Sequence, residues 1–355
     1  MNNKKSFLNK IYPYAGSILF CLFFVILFRD FLYTYRLQLE KFFPYYAYQD
    51  QIIYYLTGDK SFDIQSPMSL RFFGLFVQYL IYKIIPCIEL NNLNLGNYAY
   101  DNYVCATFSS AFMNYISLCG YLSLCFIYCN RKLKLTLAES FMTVFLSYIY
   151  IDHVEAFTLD RISILYLLTI LYFIENKKIS IFLIIFSTIV NEKIIFILGG
   201  LFFIRLFFDQ KKEYKIYFLI TLLSAILAVI IFYIYSIHLD YGYFQSEKED
   251  GLYDTYFSDG LFRIFSMFTT KSGLSNALLP LILALTPYLL KNFLKTEEIF
   301  YSKYDFLIPL SMLAFTAGGG MEQTGRYVMY TMPIWLPIFS KQIIKILNKD
   351  NSSDV

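Results

Sequence analysis

Charge is scarce in this sequence. Only 16% of its 355 residues are Asp, Glu, Lys or Arg, against about 25% in an ordinary soluble domain. Histidine occurs twice, which leaves no histidine cluster for a zinc site. The six cysteines, Cys21, Cys87, Cys105, Cys119, Cys125 and Cys129, form no CxxC pair, so neither a zinc ribbon nor a thioredoxin-type dithiol is written here. Most of them lie in apolar stretches and read as small packing residues. Cys87 and Cys105 flank a polar segment and would pair if that segment faces an oxidising compartment. A glycine-rich phosphate cradle is missing too. The triple glycine at 318–320 lacks the Lys-Ser/Thr continuation of a nucleotide loop, which counts against a cytoplasmic nucleotide-sugar donor. No basic cluster interleaved with exposed aromatics points to nucleic acid.

Apolar residues fill the space that charge leaves. They make up 57% of the chain, with 38 Phe and 34 Tyr, and the mean hydropathy is +0.50. Runs long enough to span a bilayer recur along the whole length. The expected fold is therefore an all-α polytopic membrane protein of about ten transmembrane helices. Several of these pair as short hairpins. One transmembrane domain is expected over 1–347, followed by the polar cytoplasmic tail "NKDNSSDV" at 348–355. The run "AGSILFCLFFVILF" at 15–28, preceded by Lys4, Lys5 and Lys10, reads as a retained signal anchor.

Lys and Arg concentrate on the cytoplasmic side of membrane proteins. Here they punctuate the chain at 130–134, 175–178, 209–215, 291–295 and 341–345. Placing these loops and both termini in the cytoplasm, with the chain in the inner (plasma) membrane, demands an even number of crossings between neighbours. Residues 179–208 then pose a question, because Glu192 and Lys193 stand together in "IIFSTIVNEKIIFILGG". Thirty residues fit two short helices meeting at a tip, and Asn191-Glu192-Lys193 is that tip. Its charges would lie at the outer surface or in a hydrated cavity. By the same rule "DHVEAFTLDR" at 152–161 forms another outer tip. A large first extracytoplasmic loop covers 34–103 and a late one covers 237–273. Within the first, 69–86 reads as an amphipathic helix at the outer interface; a true span with a further crossing hidden in 103–129 is the open alternative.

Four elements thus converge on the outer side. The first loop carries Asp50 and Arg71. The two tips carry Asp152, His153, Glu155, Asp160, Arg161, Glu192 and Lys193, and the turn "GGGMEQTGRY" at 318–327 carries Glu322 and Arg326. Ionisable groups at membrane depth usually face a cavity or a partner. Each has a plainer reading as well. Glu192 and Lys193 suit an interfacial pair, Asp160 suits the positive end of a helix starting near Ile162, Arg326 suits a boundary anchor, and Asp50 suits an ordinary loop.

The joint pattern resembles the GT-C superfamily of integral membrane glycosyltransferases. "YQDQIIYYLTG" followed by "SPMSLRFFGLF" looks like that family's first outer loop with its acidic residue and interfacial helices, and Asp50 matches the acid. "LDRISILYLLTILYF" and "FSTIVNEKIIFILGG" resemble its charged-tip hairpins, and "GRYVMYTMPIWLPIF" resembles its late Arg-Tyr…Pro segment. Asp50 stands between Gln49 and Gln51, without the second acid that many relatives carry. The resemblance implies sugar transfer from a polyprenyl-phosphate carrier to a glycan, glycolipid or protein acceptor outside the cytoplasm. It implies Asp50 as general base. Arg161, Lys193 and Arg326 become cations for the leaving phosphate, with Arg71, Asp160, Glu192 and Glu322 completing the substrate site. A divalent cation held by Asp50 with Asp152 or Glu155 fits the chemistry but is not required by it. The alternatives are a polymerase of lipid-linked repeats and a transporter or flippase of lipid-linked sugars.

Overall fold

The computed structural model describes residues 15–41, 72–86, 101–151, 160–238, 269–271, 274–294, 302–316 and 327–350. Twelve α-helices account for most of them, and there is no strand among the described residues. In chain order they are α1 (Ala15–Ile26), α2 (Phe28–Lys41), α3 (Phe72–Ile84), α4 (Asp101–Ile127), α5 (Leu137–Ile151) and α6 (Asp160–Phe173). Then follow α7 (Lys177–Phe186), α8 (Glu192–Phe203), α9 (Lys215–His238), α10 (Leu279–Leu294), α11 (Leu307–Thr316) and α12 (Met332–Asp350).

Their ends are set by ordinary local chemistry. Thr136 and Glu139 exchange backbone-to-side-chain hydrogen bonds of 2.7 and 3.3 Å and cap α5. Asn176 and Asn191 cap α7 and α8 by accepting from Ile179 N and Lys193 N. After α7, Ser187 and Thr188 turn their hydroxyls back onto the carbonyls of Ile184 and Ile185. The backbone then extends at Asn191 (φ −170°). Both α4 and α8 end in a five-residue π turn, Tyr128–Lys132 and Ile204–Phe208. Each is closed by a left-handed residue, Lys134 or Gln210, both at φ 56°. The next amides, of Leu135 and Lys211, bond back to the carbonyls of Cys129 and Arg205.

Side-chain contacts give each helix a direction. Phe126 stacks near Phe141 at 4.9 Å and Tyr121 meets Ser147 at 3.4 Å, so α4 and α5 are antiparallel. Gly120 lies against Leu165, and Lys132 pairs with Glu175, so α6 runs parallel to α4. Ser180 reaches the carbonyl of Phe173, and Tyr166 that of Leu183, so α7 turns back along α6. Along α9, Tyr217 bonds Ile174 O and Ser224 bonds Ile184 O, whereas Phe202 stacks on Tyr217 and Gly199 lies near Thr221. Hence α7 runs with α9 and α8 against it, and α7–α8 is the hairpin expected from sequence. One end of the bundle, here the basic end, gathers Gly16 against Ile127, the Lys132–Glu175 pair, the 209–214 segment, and Lys345 bonded to Leu294 O. The far half holds Tyr35 bonded to Val104 O and Gln78 bonded to Ala106 O towards its end, and the starts of α6, α8 and α12 deeper in.

Two helical stretches, Val104–Lys132 and Lys212–Ile231, are long and apolar enough to cross a membrane. The bent pair Ala15–Ile26 and Phe28–Arg36, angled at 48°, makes a third if counted as one span. Exposed apolar side chains line the outside of α9, among them Leu223 (61%) and Val229 (66%). The 13-residue α3 measures about 20 Å, shorter than a bilayer core of about 30 Å. It packs Leu75 and Ile81 with Ala106 and Met113 on the far half of α4. The core is continuous from Tyr35 through Tyr121 and Phe202 to Trp335. The indole of Trp335 is fully buried, donates to Thr331 Oγ1 at 3.1 Å, and stands 6.1 Å from the ring of Tyr150.

Candidate functional site

Three helix starts meet inside the far half of the bundle. Asp160 is the first residue of α6, Asn191 caps α8, and residues 327–331 lead into α12. Their side chains form one polar centre. Lys193 Nζ lies 3.3 Å from Asp160 Oδ1, with side-chain exposures of 5% and 0%. The same ammonium stands 4.7 Å from the ring of Tyr327 and 5.1 Å from that of Tyr330. Two electron-rich faces and a carboxylate thus surround it, an arrangement that favours a desolvated cation. Asn191 donates through Nδ2 to Ser163 Oγ at 2.9 Å and to Tyr330 OH at 3.4 Å, while its Oδ1 accepts from Lys193 N. One residue therefore ends the turn, starts α8 and ties it to α6 and α12. Arg161, the next residue of α6, is buried as well.

The centre is recessed. Gly199 marks the level of Thr221, and from there Lys193 is about 9 Å up α8 whereas His238 is about 25 Å up α9, at 1.5 Å per residue. Gly120 marks the level of Leu165; Asp160 is about 8 Å above it and Asp101 about 28 Å above it on the same ruler. Both helices thus overshoot the centre by about 16–20 Å. Of the two expected positions for the tip, the outer surface does not hold: Asn191 and Lys193 are buried within the bundle, because α7 and α8 are only 10 and 12 residues long. Lys193 pairs with Asp160, which is 33 residues away; of its neighbour Glu192 the backbone alone is described, as the first residue of α8.

Of the residues singled out from sequence, the structure brings Asp160 and Lys193 together and buries Arg161 next to Asp160 in the chain. Asp50, Arg71, Asp152, His153, Glu155, Glu322 and Arg326 lie outside the described residues. Arg326 immediately precedes Tyr327 in the chain, and Asp152 immediately follows the end of α5. No group of three or more metal-ligating side chains occurs among the described residues. Cys105, at the far end of α4, is disulfide-bonded.

A second buried charge cluster escaped the sequence reading. At the basic end Arg205 grips Asp305 in a two-point contact of 2.7 and 3.1 Å and reaches Asp209 at 3.1 Å. Ser302 bonds Asp209 at 2.6 Å through its hydroxyl and Asp305 at 3.1 Å through its amide. The signal available was a lone Arg in "FFIRLFFDQ" and a lone Asp in "KYDFLIPL", two charges that an apolar interior tolerates only as partners. Comparison of the chain with known protein families, with curated proteins and with solved structures finds no match.

Proposed function

We propose that this chain is an integral membrane glycosyltransferase that moves a sugar from a polyprenyl-phosphate carrier to an acceptor on the side of the membrane opposite the basic loops. In this reading about ten helical segments cross or enter the bilayer, both termini are cytoplasmic, and the far end faces outward. The observation that carries it is the Asp160–Lys193 pair in its tyrosine cage, enclosed where three helix starts converge. Helix N-termini and fixed cations are suited to a phosphate that gains negative charge as it leaves. The disulfide at Cys105 supports an oxidising compartment at that end, and the Lys132, Lys211 and Lys345 end suits the cytoplasm.

The division of labour follows. Asp50 takes the acceptor proton. Lys193 and Arg161, with Arg326 next to the caging Tyr327, stabilise the leaving phosphate. Asp160 holds Lys193 in place, and Tyr327 and Tyr330 exclude water from it. Lys193→Ala is expected to lower transfer about 100-fold or more, read as loss of the product glycan or glycolipid in cells at matched expression. The apolar double replacement Lys193→Met with Asp160→Leu removes both charges together, so it folds but stays inactive. An active double variant would reduce the pair to packing. Asp50→Asn with an unchanged glycan profile would remove the proposed base.

The recessed depth of the pair favours one other reading, a transporter of lipid-linked sugars, since such proteins bind at mid-depth between broken helices. Purified protein in liposomes separates the two. Transferase activity breaks the sugar–phosphate bond, whereas transport moves the intact lipid between leaflets.

A further inference from the structure

The ammonium of Lys193 is covered on several sides at once. Asp160 Oδ1 stands 3.3 Å from it, and the rings of Tyr327 and Tyr330 have their centroids at 4.7 and 5.1 Å. The side chain is only 5% exposed. A phosphate oxygen has to come within about 2.9 Å of an ammonium nitrogen to bond it. Among the described residues, one of three covering groups must therefore give way before such a ligand binds. Two of them are held. Asp160 is fully buried as the first residue of α6. Tyr330 is fully buried too, and its hydroxyl accepts from Asn191 Nδ2 at 3.4 Å. Tyr327 is half-buried, at the edge of the centre.

We propose that the Tyr327 ring is a displaceable cover over Lys193, which swings aside when an organic phosphate takes its place at the ammonium. The phosphate rests on the glycosyl-transfer reading above; the cover rests on the geometry of the cage. The backbone beneath the ring is fixed. Val328 and Met329, the next two residues, are fully buried, the Thr331 amide bonds Val328 O at 3.0 Å, and the Ile334 amide bonds Thr331 O at 2.9 Å. Rotation about the side-chain torsions of Tyr327 thus moves the ring and leaves α12 where it is. In the empty site the electron-rich face of the ring replaces water that the ammonium has lost. A charge-assisted hydrogen bond to phosphate is the stronger replacement, so the anion itself supplies the drive to open the cover, and a neutral ligand does not.

The test uses the full chain in nanodiscs of phosphatidylcholine and phosphatidylglycerol. Reductive methylation of Lys193, followed by peptide mass, reads how open the ammonium is. Tyr327→Ala is expected to speed it about tenfold or more, with amide hydrogen exchange in α8 unchanged, whereas Tyr327→Phe keeps the ring and stays slow. Farnesyl phosphate should protect Lys193 in the unmodified chain and at the same time raise nitration of Tyr327 by tetranitromethane; farnesol should do neither. No acceleration in Tyr327→Ala, equal acceleration in Tyr327→Phe, acceleration accompanied by faster exchange in α8, or protection by farnesyl phosphate without added nitration would each overturn the proposal. Opening by farnesyl phosphate in a chain that transfers no sugar would sink the glycosyl-transfer reading alone. Sugar transfer by a chain whose Tyr327 fails these tests would sink the cover alone.

Discussion

Asn191 shows how much one side chain can carry. Its carbonyl oxygen caps α8, and its amide nitrogen reaches Ser163 and the Tyr330 hydroxyl. Losing a cap costs about 1 kcal/mol, and leaving buried hydroxyls short of a partner adds a similar amount. Asn191→Ala should therefore destabilise the protein by about 2 kcal/mol, measured by thermal unfolding in detergent. Asn191→Ser should recover the capping half, because serine caps as well as asparagine. Equal loss in both variants would show that the cap is not what Asn191 contributes. Lys193 illustrates the complementary point. Its charge is tolerated at 5% exposure only because a carboxylate and two ring faces replace its water.

Among the elements, the α7–α8 hairpin and the basic-end cluster behave differently with respect to the sequence. The hairpin was legible: three polar residues in a row, Asn191–Lys193, interrupt the mostly apolar segment 179–208, and the loop charges demand a reversal there. What could not be read was the depth of the tip, since it depends on how far α4 and α9 extend past their short neighbours. The partner of Lys193 was hidden for a related reason. Asp160 is adjacent in space through the antiparallel run of α6, α7 and α8, and spacing along the chain does not encode that. The Arg205–Asp305 contact joins the end of α8 to the start of α11 across 100 residues, so nothing local announces it. Breaking a buried pair by deleting one partner costs about 3–5 kcal/mol. Asp305→Ala is accordingly expected to lower stability by about that amount, while Arg205→Met combined with Asp305→Leu restores most of it. Chemical denaturation of the three proteins measures the difference, and a double variant as weak as the single one would contradict the assignment.

For the whole molecule, the lysines gathered at the basic end, among them Lys132, Lys211 and Lys345, set the expected orientation. Single cysteines introduced at the exposed Lys177 and Lys211 should react with a membrane-impermeant maleimide only after the cytoplasmic face is opened. Native Cys105 should resist alkylation until a reductant is added. Labelling of Lys177→Cys in intact cells would invert the molecule and the proposed chemistry with it. The buried indole adds a practical consequence. Trp335 is the sole tryptophan of the chain, and its indole bonds Thr331, the residue that follows the phenol bound to Asn191. Excited to the red of tyrosine absorption, the unmodified protein emits from this one chromophore alone, so a shift in its colour would signal rearrangement around Thr331 and Tyr150.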